Sequence, residues 1–123
     1  MNVIHLRVPA DPNFVGLVRS NIPALAAHTQ LGLDAIYDLQ LGLDEAFSIV
    51  IAHNPTSGDV DTEFTLSDDG LTVTVTGPTG GQLPEENGFS WTILNSVASG
   101  VNISTSPEGG ISVTLHSQVV ASA

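Results

Sequence analysis

The chain has 123 residues, 41 % of them hydrophobic, which is enough for one continuous core in a single domain expected to span residues 1–123. It contains no cysteine, so disulfides, thiolate zinc sites and a cysteine nucleophile are excluded. It carries 13 acidic residues against two arginines, Arg7 and Arg19, for a formal net charge of -11. Because so few cations cannot neutralise several phosphates, we expect no nucleic-acid partner.

The acidic excess has two interpretations. It provides a surface complementary to a basic partner, which would speed association by electrostatic steering, or it is an adaptation of the host cell that keeps the protein in solution. The N-terminal residues lack a basic segment followed by a long apolar run, and no stretch approaches roughly 18 uninterrupted apolar residues. We therefore expect no membrane contact and a cytoplasmic location.

The first half of the chain predicts one strand and two helices. Apolar and polar residues alternate over residues 4–8, which indicates a strand. Apolar residues then recur at helical spacing to about residue 28, and Pro23 should kink or interrupt this helix. Asp34 is predicted to cap a longer second helix that runs to about residue 53.

The second half predicts four strands and a third helix. Turns at residues 67–70 and 107–110 join the strands in two pairs, and residues 77–87 form a loop rich in glycine and proline. The order β-α-α-β-β-α-β-β, with one apolar face on the strands, predicts an α+β two-layer sandwich. It consists of a mostly antiparallel five-stranded sheet with three helices on one face. The predicted bounds are 60–66, 71–76, 101–103 and 111–115 for the strands and 89–99 for the helix.

The second helix carries two different stripes when its residues are stepped by 100°. One stripe is apolar and should face the core, whereas the other mixes charged and aliphatic residues. Ile49 would be out of place in solvent and Glu45 would be out of place in the core. A cleft between this helix and a loop accommodates both. The apolar stripe is Ile36, Leu39, Leu43, Ala46, Phe47 and Val50, and the mixed stripe is Asp38, Gly42, Glu45, Ile49 and His53.

Three segments resemble motifs of one protein family. LDEAFSIVIAH at residues 43–53 resembles the N-box of the histidine-kinase-like (Bergerat-fold) ATPases, and more closely that of the RsbW-type anti-sigma factors, which are serine kinases. GFSWTIL at residues 88–94 is similar to the second glycine box that leads into a helix. SPEGGISV at residues 106–113 is similar to the closing turn and strand. The order of elements is also that of the family, and the sequence looks closest to its short, divergent actinobacterial members.

The resemblance implies roles for several residues and also shows positions where this sequence differs from the family's motifs. Glu45 matches the general base that activates the acceptor serine, but Ile49 stands where the family has an asparagine that coordinates magnesium. An aliphatic side chain offers no oxygen to a hard cation. The aspartate that contacts adenine has no counterpart, the candidates being Val75 or Thr76. We interpret the nucleotide site as vestigial, with Glu45, Ile49, His53, Gly77, Gly80, Gly81, Gly88 and Ser90 at its positions.

Each of these residues also has a structural interpretation. Glu45 follows Asp44, and two adjacent acids are common on a solvated helix face. Ile49 can fill the volume that a nucleotide would use, and His53 can interact with the helix dipole. The glycines at 77–81 are ordinary turn residues, and Trp91 is a core or an interface residue. The scattered histidines show no metal-ligand spacing, so we expect no metal site.

Three functions remain open at this point. The resemblance implies an anti-sigma factor that sequesters an alternative sigma factor, switches to an anti-anti-sigma protein of the STAS type and forms a homodimer; no cofactor is then expected. The alternative is an active ATP-dependent serine/threonine kinase that phosphorylates the STAS protein with Glu45 as base, which requires Mg-ATP. The third is a binding module without either role.

Overall fold

A computed structural model describes residues 2–52, 58–80, 83–85 and 88–119 of the chain. A five-stranded sheet carries all the helices on one face, in the predicted β-α-α-β-β-α-β-β order once the first helix is counted with its two halves together. No helix of the described ranges is long and apolar enough to cross a membrane. The strands are β1 (Asn2–Pro9), β2 (Asp59–Ser67), β3 (Gly70–Thr79), β4 (Gly100–Thr105) and β5 (Gly110–Gln118). A 3-10 turn (Pro12–Phe14) precedes the helices α1 (Val15–Arg19), α2 (Asn21–Ala26), α3 (Leu33–Val50) and α4 (Phe89–Val97).

The strands lie in the order β1-β2-β3-β5-β4, and every pairing is antiparallel. Both predicted hairpins are confirmed: Ser67 pairs with Gly70 across a two-residue turn, and Ile103 pairs with Val113 between the last two strands. Alternation along the strands sends one set of side chains toward the helices and the other toward the open face. The fold class predicted from the sequence is therefore confirmed.

The core lies between the sheet and the apolar stripe of α3. Leu39, Leu43, Ala46, Phe47 and Val50 are all fully buried, as predicted, and Ile36 packs at the margin. The helix contacts β3 and β5 at the centre of the sheet. A Cβ added at Gly42 would lie only 3.0 Å from the Leu115 side chain and 3.2 Å from that of Val97. This glycine lets α3 approach β5 and α4 closely.

The first helix is interrupted at Ser20, as the presence of Pro23 predicted, and the break lies three residues before the proline. Pro23 occupies the third position of α2, where a backbone N–H has no intrahelical partner to lose. Proline cannot donate to the carbonyl of Arg19 four residues earlier, so the helix restarts after Ser20. The Gln40 side chain donates to that carbonyl at 3.5 Å and supplies the missing partner.

Several other boundaries differ from the prediction, three of them near the ends of α3, α4 and β3. Gly32, not Asp34, is the N-cap of α3, while Asp34 lies in the first turn, where its charge favours the helix dipole. The third helix ends at Val97, two residues early. β3 continues to Thr79, with a register irregularity after Thr76, so the predicted loop begins later than residue 77.

Thr62 places an unsatisfied hydroxyl in the core. Its side chain is fully buried on the helix-facing side of β2, and its Oγ1 has no hydrogen-bond partner within the described residues. We expect Thr62→Val, which keeps the shape and removes the hydroxyl, to raise the free energy of unfolding by about 1 kcal/mol. Thr74→Val is the matched control, because the Thr74 hydroxyl is bonded to that of Thr114 at 3.1 Å. The free energies of unfolding are measured in urea. A lower value for Thr62→Val than for the unaltered chain, or an equal increase for both variants, would contradict this account.

Candidate functional site

The mixed stripe of α3 forms one wall of an open cavity of about 250 Å³. Its opposite side comes from Leu83, Pro84 and the start of α4. The cleft expected between this helix and a loop is therefore present, and it brings together three of the predicted residues, Glu45, Ile49 and Ser90. The described residues that line it are Glu45, Ser48, Ile49, Ala52, Leu83, Pro84 and Ser90.

Glu45 and Ile49 are neighbours on this wall because they are one helical turn apart. Glu45 is half-buried, whereas Ile49 is only 6 % exposed and also belongs to the core cluster. A half-buried carboxylate thus stands beside a buried aliphatic side chain. The geometry explains how both residue types share one stripe of α3.

Asp44 and Glu45 are adjacent in sequence but face different surfaces. Arg19 Nη1 donates to Asp44 Oδ1 at 2.8 Å, which joins α1 to the outer side of α3. Both side chains are partly exposed, so this ion pair stabilises the fold only slightly. Glu45 points instead toward the cavity. The two acids therefore do not share one surface, and Glu45 is partly exposed in the open cavity.

The described walls of the cavity carry no positively charged residue. Of the two arginines, Arg19 is paired with Asp44 and Arg7 lies on the exposed strand β1 opposite Asp61. Neither lines the cavity, and Glu45 is the one charged residue on its described walls. Two hydroxyls, those of Ser48 and Ser90, complete the polar groups. An anionic ligand would meet a carboxylate here without a compensating cation.

Two of the predicted glycines, Gly77 and Gly80, are not among the described residues that line this cavity. Gly77 lies against the end of α3, where a Cβ would overlap the carbonyl oxygen of Val50. Gly80 has a φ of 97° and donates its N–H to the carbonyl of Gly109 at 3.3 Å. These two glycines connect the end of β3 to α3 and to the β4–β5 turn, which supports their structural interpretation.

The remaining predicted positions divide into two groups. Gly88 is the N-cap of α4 with an ordinary φ of -77°, two residues before Ser90 on the cavity wall. His53 and Gly81 lie outside the described residues. Across the described ranges, no group of three or more His, Cys, Asp and Glu side chains is placed to hold a metal ion.

Sequence reasoning missed four of the lining residues. Ser48 and Ala52 extend the wall of α3, and Leu83 and Pro84 provide the opposite side. An apolar pair in an otherwise polar loop was the available signal for the latter two. Trp91 lines a second hollow together with Leu83, Pro84 and Ile103. Leu83 and Pro84 therefore border both this hollow and the cavity.

The residues that line the cavity limit the kind of ligand it can bind. Its walls suit a ligand or side chain with an apolar body, because Ile49, Ala52, Leu83 and Pro84 dominate them. A magnesium ion prefers several oxygen ligands in near-octahedral geometry. Ile49 offers none at the position where the family resemblance expects one.

The sequence profile described as the histidine kinase-like ATPase domain matches residues 8–116. This chain belongs to that family. The match covers most of the described sheet and helices, and it confirms the resemblance drawn from the three sequence motifs. This histidine kinase-like ATPase domain carries Glu45 and Ile49 within the matched region.

The domain is similar in sequence to curated RsbW serine-protein kinases. It is 30 % identical over 78 residues to the serine-protein kinase RsbW of Bacillus velezensis, covering 61 % of this chain and 49 % of the relative. It is 31 % identical over 75 residues to RsbW of Bacillus subtilis, covering 58 % of this chain and 47 % of the relative. The chain thus spans about half the length of the curated relatives it matches.

A solved structure shares the fold. The crystal structure of the RsbU and RsbW domains of a Mycobacterium tuberculosis protein superposes with a TM-score of 0.73 and 17 % sequence identity. The match covers 96 % of this chain and 32 % of that chain. The likeness extends over nearly the whole domain.

Gly77 provides a test of its structural role. We expect Gly77→Ala to lower the free energy of unfolding by about 1–3 kcal/mol, because the added methyl group must displace the backbone at Val50. Gly100→Ala is the matched control, since its Cβ would meet only the His116 side chain at 3.4 Å. Equal stability of the two variants in thermal and urea unfolding would show that Gly77 is not required for this close approach.

Proposed function

We propose that this histidine kinase-like ATPase domain is an anti-sigma factor that sequesters an alternative sigma factor, and that its nucleotide site is degenerate. The observation that carries the second part is the buried Ile49 beside Glu45 on the cavity wall. Family membership and the similarity to the RsbW kinases support the first part.

Two physical arguments favour binding over nucleotide chemistry. The site offers a magnesium ion only Glu45 and two hydroxyls, because Ile49 contributes no oxygen. A nucleotide triphosphate would also approach a protein of net charge -11 whose two arginines lie elsewhere. We therefore propose that the domain acts without a cofactor and derive no catalytic step from a bound nucleotide.

The same charge favours a basic protein partner. Segments of a sigma factor that contact DNA or polymerase are basic, and a protein with 13 acidic residues attracts them over long range. The proposal extends to release by a STAS protein that competes for the domain. Homodimer formation and a cytoplasmic location remain predictions.

The proposal is tested with the cognate sigma factor and the full chain. We expect a stable complex in calorimetry and co-purification, with the same dissociation constant in buffer, with ATP alone and with Mg-ATP. A STAS protein added in excess should displace the sigma factor without any phosphorylation. If no alternative sigma factor associates under any of these conditions, the anti-sigma function is wrong and the domain serves as a binding module for another regulator.

A second candidate function is favoured by one observation, the presence of Glu45 in the cavity. If this residue is the general base of an active kinase, phosphate from labelled Mg-ATP should appear on a serine or threonine of the STAS protein. Glu45→Gln should then lower the transfer rate by roughly 100-fold or more. We expect no phosphate transfer by the unaltered chain or by the Glu45→Gln variant. Transfer by the unaltered chain that Glu45→Gln abolishes would place the kinase first.

A further inference from the structure

The outer side of α3 carries large apolar side chains that point into solvent. Leu33, Tyr37 and Leu41 follow one another at intervals of four residues, so they form one line along the helix. Their exposed fractions are 84 %, 63 % and 43 %. A solvated helix face is normally polar, and a contiguous exposed apolar surface marks a site of interaction. This line lies on the side of α3 away from the core.

A groove runs beside this line, between α2 and α3. It encloses about 610 Å³, and Pro23, Ala27, Leu31 and Ile36 provide much of its apolar wall, with Tyr37 on its rim. Tyr37 also borders a smaller hollow of about 200 Å³ at the far end. We call the groove and the line of apolar residues together the α2–α3 face. Its length from Leu33 to Asp44 is about 17 Å, or three helical turns.

The charges around the α2–α3 face have one sign. Asp34 and Asp38 project within about 100° of Tyr37 around α3 and form one flank of the face. Helix α3 contains no lysine or arginine. Arg19, at the end of the face, is held by Asp44. The face therefore presents apolar surface and an acidic flank, with its one nearby cation already paired.

We propose that the α2–α3 face binds a basic amphipathic helix of the protein partner. The apolar stripe of that helix fills the groove against Tyr37 and Leu33, and its lysine or arginine side chains face Asp34 and Asp38. This inference rests on the proposed function, because it takes the sigma factor as the source of the helix. It assigns to the complex a contact surface separate from the main walls of the nucleotide cavity.

Charge decides between this occupant and a second copy of the chain. In a two-fold symmetric pair, the same patch faces itself. Both sides of the contact would then carry Asp34 and Asp38, while α3 contains no lysine or arginine and Arg19 is already paired with Asp44. A basic helix removes this repulsion, whereas a second copy creates it.

Apolar contacts are tested by shortening exposed side chains of the α2–α3 face. The unaltered chain, Tyr37→Ser and the double variant Leu33→Ser with Tyr37→Ser are titrated with the sigma factor by calorimetry. We expect the double variant to weaken binding by roughly tenfold or more. Phe89→Ser is the matched control, because Phe89 is 81 % exposed on α4, away from this face. Circular dichroism and thermal unfolding verify that each variant keeps the fold.

The acidic flank is tested by removing two charges at a time. Asp34→Asn with Asp38→Asn should slow association with the sigma factor roughly threefold or more at low salt and should flatten its salt dependence. Asp59→Asn with Glu108→Gln removes the same charge at exposed positions of β2 and the β4–β5 turn, outside α2 and α3. We expect a smaller effect from this control, since it changes only the net charge.

The outcomes separate this inference from the proposed function. If the unaltered chain binds the sigma factor and the double apolar variant binds it equally well, the α2–α3 face is not the contact surface, but the anti-sigma function stands. If the unaltered chain does not bind, both are wrong. If Tyr37→Ser converts a dimer to a monomer in sedimentation while sigma binding is unchanged, the face joins two copies and the inference is overturned.

Discussion

The packing of α3 on the centre of the sheet is the interaction on which the rest of the structure depends. Leu43, Phe47 and Val50 bury one stripe of the helix against β3 and β5, and this contact fixes the rotation of the whole helix. Once that rotation is fixed, Glu45 must face the cavity and Tyr37 must face solvent, because helical residues keep constant angles to one another. One helix thus supplies the core, the candidate site and the α2–α3 face.

The sequence predicted the features that arise from regular periodicity. The core stripe of α3, the hairpin turns and the cleft beside Glu45 all follow from spacings of 3.6 or two residues. Features set by contacts distant in sequence were not predictable in this way. The role of Gly77 depends on Val50, and the ion pair of Asp44 depends on the position of Arg19. Similarly, Leu83 and Pro84 become lining residues of the cavity only because the fold brings them opposite α3.

In the proposed function, the family fold persists while the chemistry of the site changes. Glu45 lies on the cavity wall, and Ile49, one helical turn later, is buried and aliphatic. A fold supports many functions, so function must be argued from the side chains present. Here they favour recognition of a basic protein over handling of a polyanionic nucleotide. The acidic flank of α3 and the overall charge of -11 both favour a basic protein partner.

The central claim is that the cavity does not hold a magnesium-bound nucleotide, and the fluorescence of Trp91 tests it most directly. Trp91 is the one tryptophan of the chain, and its hollow shares Leu83 and Pro84 with the cavity. The full chain is titrated with ATP and ADP, each with and without magnesium, and calorimetry under the same conditions detects binding that leaves the emission unchanged. We predict no saturable change in emission and no binding heat. A saturable, magnesium-dependent response would contradict the account, because it would show that the site holds the metal and nucleotide despite Ile49.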